Sequence, residues 1–338
     1  MKKRIIIGVC ATVAVILALT LVQALVVPKY IDNPEGLLVG EYYSEAGGHD
    51  VIFVGDCEVY ESFIPAVLWE KHGISSYVRG SAQQLAWQSY YLLEETFEYE
   101  TPRVVVFNVL ALKYGTPQSE AFNRMTLDSM KWSSSKLEAV KASVTEEENF
   151  LDYVFPILRF HSRITDLSGD DFKYIFNAKK VSHSGYLMQK NIVPLTEEMD
   201  EGRNLRDYTL PEGAMDYLDK MKELCEENGS ELVLIKSPTN SWAYWWYDEW
   251  DEQVREYAEE NELAYYNFID KTEEIGIDYS TDTYDAGVHL NVYGAEKMTD
   301  YFGNILKENH GLSDLTHGDA VVAAWETRVK EYYEERNE

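Results

Sequence analysis

Cys57 is the residue whose type and surroundings point most clearly to chemistry. It follows a short apolar run, residues 51–54, and the turn residues Gly55 and Asp56, and a helical pattern begins soon after. A strand–turn–helix of this kind lifts a side chain clear of a sheet and turns backbone N–H groups toward whatever that side chain attacks. The alternative is a packing cysteine at a strand end, because free cysteines are commonly buried.

His289 is the histidine best placed to take a proton from that thiol. It is one of seven histidines, and it lies between the last predicted strand and the helix that follows. A general base must lie within hydrogen-bonding reach of the proton that it takes. Asp285, four residues earlier, is expected to orient the imidazole and leave the other ring nitrogen for Cys57. Asp282 is the alternative partner.

The secondary-structure elements that must position these residues are predicted strands that alternate with predicted helices. Uniformly apolar strands alternating with helices are typical of a parallel sheet that is covered on both faces. We therefore expect an α/β fold with three layers and a sheet of about five strands. Ligands of such sheets bind beyond the carboxyl ends of the strands, where Cys57, Gly80 and Asn108 fall. The predicted strands are residues 51–54, 76–78, 104–109, 231–236 and 263–268.

These residues resemble the sequence blocks of the SGNH/GDSL hydrolase superfamily, over residues 51–306. Gly55-Asp56-Cys57 resembles the first block, which is usually Gly-Asp-Ser, and Gly80 resembles the glycine of the second. Asn108 matches the third-block asparagine, with Val106 where a glycine is usual. Asp285 and His289 match the last block, Asp-x-x-His, with one extra residue between them.

The stretch around His289 looks like one branch of that superfamily. This membrane-anchored branch includes the alginate O-acetyltransferases and the D-alanyl-lipoteichoic-acid transfer protein. The residues that carry the likeness are His289, Leu290, Asn291, Gly294, Ala295 and Lys297.

The resemblance implies a flavodoxin-like sheet and a catalytic set of Cys57, His289 and Asp285. It also implies an oxyanion hole made by the N–H groups of Cys57 and Gly80 and the amide of Asn108. A cysteine thiol with a pKa of about 8.5 is only slightly ionised at neutral pH, and we expect the helix start and His289 to ionise it further. Because a thioester is more reactive toward hydroxyl groups than an oxygen ester is, cysteine favours acyl transfer over simple hydrolysis.

The N-terminus carries the clearest targeting signal. Lys2, Lys3 and Arg4 precede the uncharged run 5–27, which at about 23 residues is long enough to cross a bilayer as one helix. Because the positive flank stays in the cytoplasm, we expect a single-pass protein of the cell membrane whose catalytic domain lies outside. The alternative is a signal peptide cleaved after residues 22–24, Val-Gln-Ala, followed by secretion.

Composition excludes several classes of function. The formal net charge of −29, from 59 acidic and 30 basic residues, is repelled by phosphate backbones, so no nucleic-acid partner is expected. The three cysteines, Cys10, Cys57 and Cys225, have no spacing typical of zinc sites or of a disulfide framework. We therefore expect no metal and no cofactor.

Two further sets of residues are ambiguous in the sequence. Residues 111–204 interrupt the α/β alternation and are predicted to be an insertion over the carboxyl edge of the sheet. The basic residues of this insertion include Arg159, His161 and Arg163. They either form an ion-pairing cluster or line the substrate entrance. Aromatic residues after the fourth strand either fold into the core or stack against sugar rings at the rim of the site, and they include Trp242, Trp245 and Trp246.

These observations predict an extracytoplasmic, membrane-anchored SGNH-type hydrolase or acyltransferase. It would remove or transfer a small acyl group, with acetyl preferred, on a cell-envelope polysaccharide or another acylated carbohydrate. A multi-pass membrane acyl donor is a further expected partner. Two alternatives stay open, a catalytically inactive glycan-binding protein and a scaffold for such a donor. The expected parts are 1–28 (stub and transmembrane anchor), 29–50 (extended linker), 51–312 (SGNH-like domain with the insertion 111–204) and 313–338 (amphipathic helix).

Overall fold

Five parallel strands form the centre of the protein. The computed structural model describes residues 2–29, 33–176, 180–195, 205–240 and 246–338. The strands pair in the order β2-β1-β3-β4-β5. The predicted α/β class is confirmed, and each strand lies within about one or two residues of its expected bounds. The strands are β1 (Val51–Gly55), β2 (Ser76–Gly80), β3 (Val104–Asn108), β4 (Glu231–Lys236) and β5 (Ala264–Asn267).

Helices cover both faces of the sheet because successive strand residues point to opposite sides. Val51 and Phe53 of β1 join one buried cluster, whereas Ile52 and Val54 join the other. The first cluster is covered by the helices Cys57–Ser62, Pro65–His72 and Val292–Asn309. The second is covered by Ala86–Tyr99, Glu212–Asn228 and Asp248–Glu260. The uniformly apolar strands therefore reflect burial on both sides.

Local signals set the ends of several helices. Pro65 begins Pro65–His72, and Gly73, with φ of 68° in the left-handed region, ends it and donates its N–H to the carbonyl of Trp69. Asn291 caps Val292–Asn309 by accepting from the N–H groups of Tyr293 and Gly294. This cap fixes where the chain leaves the His289 loop.

A C-terminal helix, Asp319–Asn337, docks beside Pro65–His72 and buries Trp325 and Tyr332. The described part of residues 111–204 consists mainly of short helices. Those helices are Glu120–Leu127, Ser134–Ser143, Phe150–Val154, Pro156–Phe160, the 3₁₀ turn His161–Thr165, and Gly169–Phe176. The remaining short elements are Pro34–Leu37, Leu38–Glu41, Tyr42–Ser44, Val109–Lys113, Ile269–Lys271 and Thr272–Ile275.

The N-terminal helix, Lys2–Val26, is long and apolar enough to cross a membrane. A helix of this kind serves either as an anchor or as a signal sequence. Its large apolar side chains from Ile5 to Leu21 are exposed, whereas Leu25 and Val26 are buried by the rest of the protein. Among the described residues, the folded part of the chain therefore buries this helix only toward its C-terminal end.

Candidate active site

Cys57 lies at the point where β1 turns into the helix Cys57–Ser62. Gly55 has φ of 152°, and a Cβ built there would lie 3.0 Å from the Asn108 Cβ and 3.2 Å from a Val59 methyl carbon, so the turn requires glycine. Asp56 caps the helix because its Oδ1 accepts the N–H of Glu58 at 3.2 Å. The Cys57 side chain is thereby held at the carboxyl edge of the sheet.

The His289 loop brings the imidazole to the same edge. Nε2 of His289 lies 3.1 Å from Sγ of Cys57, and Nδ1 lies 2.6 Å from Oδ2 of Asp285. The other carboxylate oxygen of Asp285 accepts the backbone N–H of His289 at 2.8 Å. Asp282 instead pairs with Lys297 at 2.5 Å. The structure therefore places Asp285, and not Asp282, against the imidazole, in a thiol–imidazole–carboxylate series.

Burial changes the acid–base properties of this series. It raises the pKa of the Cys57 thiol to about 12, with the nearby carboxylates of Asp56 and Glu61 adding to the effect and His289 opposing it. Burial alone would lower the pKa of His289, but Cys57, Glu61 and Asp285 together raise it well above its ordinary value. Desolvation therefore opposes the expected ionisation of the thiol, whereas the neighbouring His289 favours it.

Glu61 is a second carboxylate beside the imidazole, and the sequence analysis missed it. Its Oε2 lies 3.6 Å from Nδ1 of His289 and has no hydrogen-bond partner in the described part of the chain. Its Oε1 accepts the hydroxyl hydrogen of Tyr284 at 2.6 Å. Burial raises the pKa of Glu61 to about 7, while His289 opposes the shift. An acidic residue inside the apolar pattern Val59, Tyr60, Phe63 was the available signal.

Asn108 contacts acidic side chains behind the nucleophile. Its amide nitrogen donates to Oδ1 of Asp56 at 3.0 Å and to Oε2 of Glu58 at 2.8 Å. Lys236, fully buried at the end of β4, donates to both Glu58 oxygens at 2.8 and 2.9 Å. The predicted oxyanion role of the Asn108 amide does not fit this arrangement, because both of its hydrogens already have protein acceptors. Asn108 instead hydrogen-bonds to two buried carboxylates, and Lys236 compensates the charge of Glu58.

A cavity of about 230 Å³ opens onto the Cys57–His289 pair. Gly80 is paired with Gly55 in the sheet register, and Ala82 and Gln83, which follow it, form the cavity wall on that side. Its described lining consists of Glu35, Asp56, Cys57, Glu58, Tyr60, Glu61, Ala82, Gln83, Leu110, Tyr114, Phe122, Tyr284 and His289. A larger cavity of about 580 Å³, near Pro34 and Leu187, contains neither cysteine nor histidine among its described lining residues.

The basic cluster of the insertion does not line this cavity. Arg159 pairs with Glu120 at 2.7 Å, and Nδ1 of His161 lies 3.1 Å from the carbonyl oxygen of Leu158. Arg163 donates to the carbonyl oxygens that end the N-terminal helix. Of the two alternatives, the structure shows ion pairing for the two arginines, because Glu120 and Asp171 are their carboxylate partners. The substrate-entrance alternative is not supported for this cavity.

Trp246 is also not a sugar-stacking residue. It is 3% exposed, packs in the core beside Trp250, and its indole N–H donates to Asp251 at 3.3 Å. The sugar-stacking alternative is wrong for Trp246, because its ring is buried in the core. Trp242 and Trp245 lie outside the described residues. Within the described ranges, no group of three or more His, Cys, Asp or Glu side chains is arranged to hold a metal ion.

Comparison with known proteins adds little to this geometry. A family model of uncharacterised function matches residues 161–311. No curated protein matches the chain. Among solved structures, a candidate acylhydrolase from Bacteroides fragilis aligns at 11% identity and a TM-score of 0.37, covering 83% of this chain and 98% of its own. A GDSL-like lipase from Bacteroides thetaiotaomicron aligns at 12% identity and a TM-score of 0.33, covering 82% and 96%. Similarity at these TM-scores does not assign the chain to their family.

Proposed function

We propose that this protein is a membrane-anchored, extracytoplasmic SGNH-type enzyme that cleaves or transfers a small acyl ester through Cys57, His289 and Asp285. The observation that carries the proposal is the unbroken series from Sγ through the imidazole to the Asp285 carboxylate, with contacts of 3.1 and 2.6 Å. The series opens onto a cavity at the carboxyl edge of a parallel sheet, where ligands of such sheets bind.

The chemistry follows from these contacts. As Sγ attacks the ester carbonyl carbon, the thiol proton passes to Nε2 of His289, and Asp285 stabilises the imidazolium. The imidazolium then protonates the departing alcohol, leaving an acyl thioester on Cys57. Because burial raises the pKa of the Cys57 thiol, transfer of its proton to Nε2 of His289 is proposed to accompany sulfur attack. The oxyanion is proposed to meet the N–H groups of Cys57 and Gly80.

The second half of the reaction decides between hydrolysis and transfer. His289 takes a proton from an incoming hydroxyl, whose oxygen attacks the thioester and releases the Cys57 thiol. With water the product is a free acid, and with a sugar hydroxyl it is a new ester. We propose acetyl as the acyl group, an envelope polysaccharide as the glycan, and a multi-pass membrane protein as a source of activated acyl groups. The small cavity and the N-terminal helix are compatible with this assignment.

Steady-state kinetics on the full chain in detergent test the proposal. With an aryl acetate as substrate, Cys57→Ala is expected to lower kcat/KM by about 10³-fold or more. Cys225→Ala is the matched control, because Cys225 is buried in the cluster on the other face of the sheet. Full activity of Cys57→Ala would show that Cys57 is not the nucleophile.

A catalytically inactive glycan-binding protein is the second candidate, and the raised thiol pKa favours it. Alkylation separates the two. An enzyme should show labelling of Cys57 that an ester substrate slows and that changes in rate in His289→Ala. Labelling that neither the ester nor the loss of His289 alters, together with no turnover, would favour the binding protein.

A further inference from the structure

The end of the N-terminal helix is fastened to the insertion. Nη1 of Arg163 donates to the carbonyl oxygens of Val26 and Val27, each at 2.7 Å, and its Nη2 pairs with Asp171 at 2.9 Å. Nζ of Lys29 donates to the Val27 carbonyl oxygen at 2.6 Å. Cations that meet the last carbonyls of a helix satisfy groups with no intrahelical partner. This end of the helix is therefore part of the folded domain.

Helix length places this junction at the surface of the membrane. The uncharged run 5–27 rises about 34 Å at about 1.5 Å per residue, slightly more than the hydrocarbon thickness of about 30 Å. Leu21 is exposed and Leu25 is buried. The surroundings of the helix therefore change from solvent or lipid to packed protein within about one helical turn. Elements that contact Val26 consequently lie at the level of the lipid headgroups.

The same elements carry exposed apolar side chains, which we call the apolar rim. Pro156–Phe160, His161–Thr165 and Gly169–Phe176 all pack against the N-terminal helix, and Phe150–Val154 adjoins the first of them. The rim side chains are each between 48% and 52% exposed, and they are Leu151, Phe155, Leu158, Ile164 and Phe172. Half-exposed leucine and phenylalanine side chains clustered on one segment mark an interaction surface.

Charge favours a lipid surface as the partner of this rim. Residues 150–176 hold four acidic and three basic residues, in a chain whose net charge is −29. The segment is therefore close to neutral, whereas the rest of the chain would be repelled by an anionic bilayer. Membrane-surface segments likewise combine buried apolar side chains with nearby cations.

We propose that the apolar rim is a second membrane-contacting surface, whose side chains enter the interface of the bilayer that the N-terminal helix crosses. The inference rests on the anchor part of the proposed function and not on its catalytic part. As a consequence, the distance between the active site and the bilayer surface is limited. Glu35 lines the Cys57 cavity, and the nine Cα-to-Cα steps from Val26 to Glu35 span at most about 32 Å.

Lipid quenching of an attached fluorophore tests this surface in the full chain. Phe172→Cys and Leu158→Cys would each be labelled with an environment-sensitive dye in a Cys10→Ala, Cys57→Ala background. Cys225 is 1% exposed and should not react. The vesicles are phosphatidylcholine with or without spin-labelled acyl chains. We expect blue-shifted emission that the spin-labelled lipid quenches.

Two reference sites make the result decisive. Cys10, labelled in a Cys57→Ala chain, reports insertion of the helix itself and should be quenched. Glu308→Cys, in the same background as the rim variants, should show water-like emission without quenching. Glu308 lies near the end of the helix Val292–Asn309, beside the start of β4, which is the sheet edge opposite to the one that carries Cys57.

Quenching at Cys10 without quenching at Phe172 and Leu158 would overturn the second surface and leave the anchor intact. Blue-shifted rim emission without lipid quenching would mean that protein covers the rim, which also overturns the inference. Loss of quenching at Cys10 would overturn both the anchor and the rim. None of these outcomes depends on the catalytic assignment.

Discussion

In the proposed mechanism Asp285 acts on catalysis only through the imidazole, because its carboxylate accepts from Nδ1 and from the backbone N–H of His289. Asp285→Asn should leave the backbone loop in place but favour the wrong tautomer of His289. We expect kcat to fall by about 10²–10⁴-fold. Asp278→Asn is the matched control in the same loop, because its Oδ1 accepts from Ser280 and the residue is exposed. Equal activities of the two variants would contradict the assigned role.

Glu61 should set the pH at which the enzyme begins to work. In the proposed mechanism neutral imidazole is the base, and the pKa of His289 is raised, so activity should increase with pH through a midpoint above the ordinary histidine value of about 6.5. Glu61→Gln removes one negative charge beside Nδ1, which lowers that pKa and moves the acid limb of kcat/KM to lower pH. The alkaline plateau should stay within about tenfold of the parent.

A pH–rate profile of Glu61→Gln measures this directly, and Glu70→Gln serves as the control, because Glu70 is an exposed partner of Tyr333 on the helix Pro65–His72. An acid limb that stays in place, or moves to higher pH, would show that Glu61 does not influence the imidazole.

At the scale of elements, the Glu58–Lys236 pair joins the nucleophile helix Cys57–Ser62 to the end of β4. Both side chains are buried, so removing one leaves the other charge without compensation. Lys236→Met should lower the free energy of unfolding by about 3–5 kcal/mol. The double variant Glu58→Gln, Lys236→Met should recover much of that loss, because neither member of the pair is then charged.

Thermal unfolding in detergent gives the comparison. Lys71→Met is a suitable control, since the Lys71–Asp300 pair is exposed and should contribute less than about 1 kcal/mol. If the single and double variants unfold at the same temperature, the buried pair is not what joins these elements.

Element positions were largely predictable because burial on both faces makes each strand uniformly apolar. Gly55 and Asp56 predicted the turn that positions Cys57. The buried carboxylates of Glu58 and Glu61 were not predicted, because the one local signal, an acidic residue among Val59, Tyr60 and Phe63, does not reveal the distant partners that accompany its burial. Their burial depends on Lys236 and Tyr284, which are distant in sequence and close only in the fold.

Other failures arose where long-range contacts decide a residue's role. Arg163 is a basic residue in an irregular segment, and only the path of the insertion shows that it meets the end of the N-terminal helix. Trp246 follows a strand end that suggested exposure, yet the helix Asp248–Glu260 covers it. The local sequence pattern therefore predicted which edge of the sheet carries Cys57 and His289. It was less successful in predicting the residues around them.

At the scale of the whole molecule, retention of the N-terminal helix would hold the active site near the bilayer. Leu25 and Val26 are buried and Arg163 meets the helix-end carbonyls, so cleavage near Ala24 would expose a packed junction. We expect the protein to stay in the membrane fraction after an alkaline carbonate wash. N-terminal sequencing should find residues 2–10, and a mature N-terminus near residue 25 would contradict an uncleaved anchor.

The most direct measurement of the central claim is detection of the acyl group on Cys57. The full chain would be mixed briefly with an activated acetyl ester, quenched in acid and digested, and the cysteine peptides analysed by mass spectrometry. We predict one acetyl group on the Cys57 peptide, removable by neutral hydroxylamine, no acetyl group on Cys225, and slower acetylation in His289→Ala. Turnover of the ester with no acyl group on Cys57 would contradict the account.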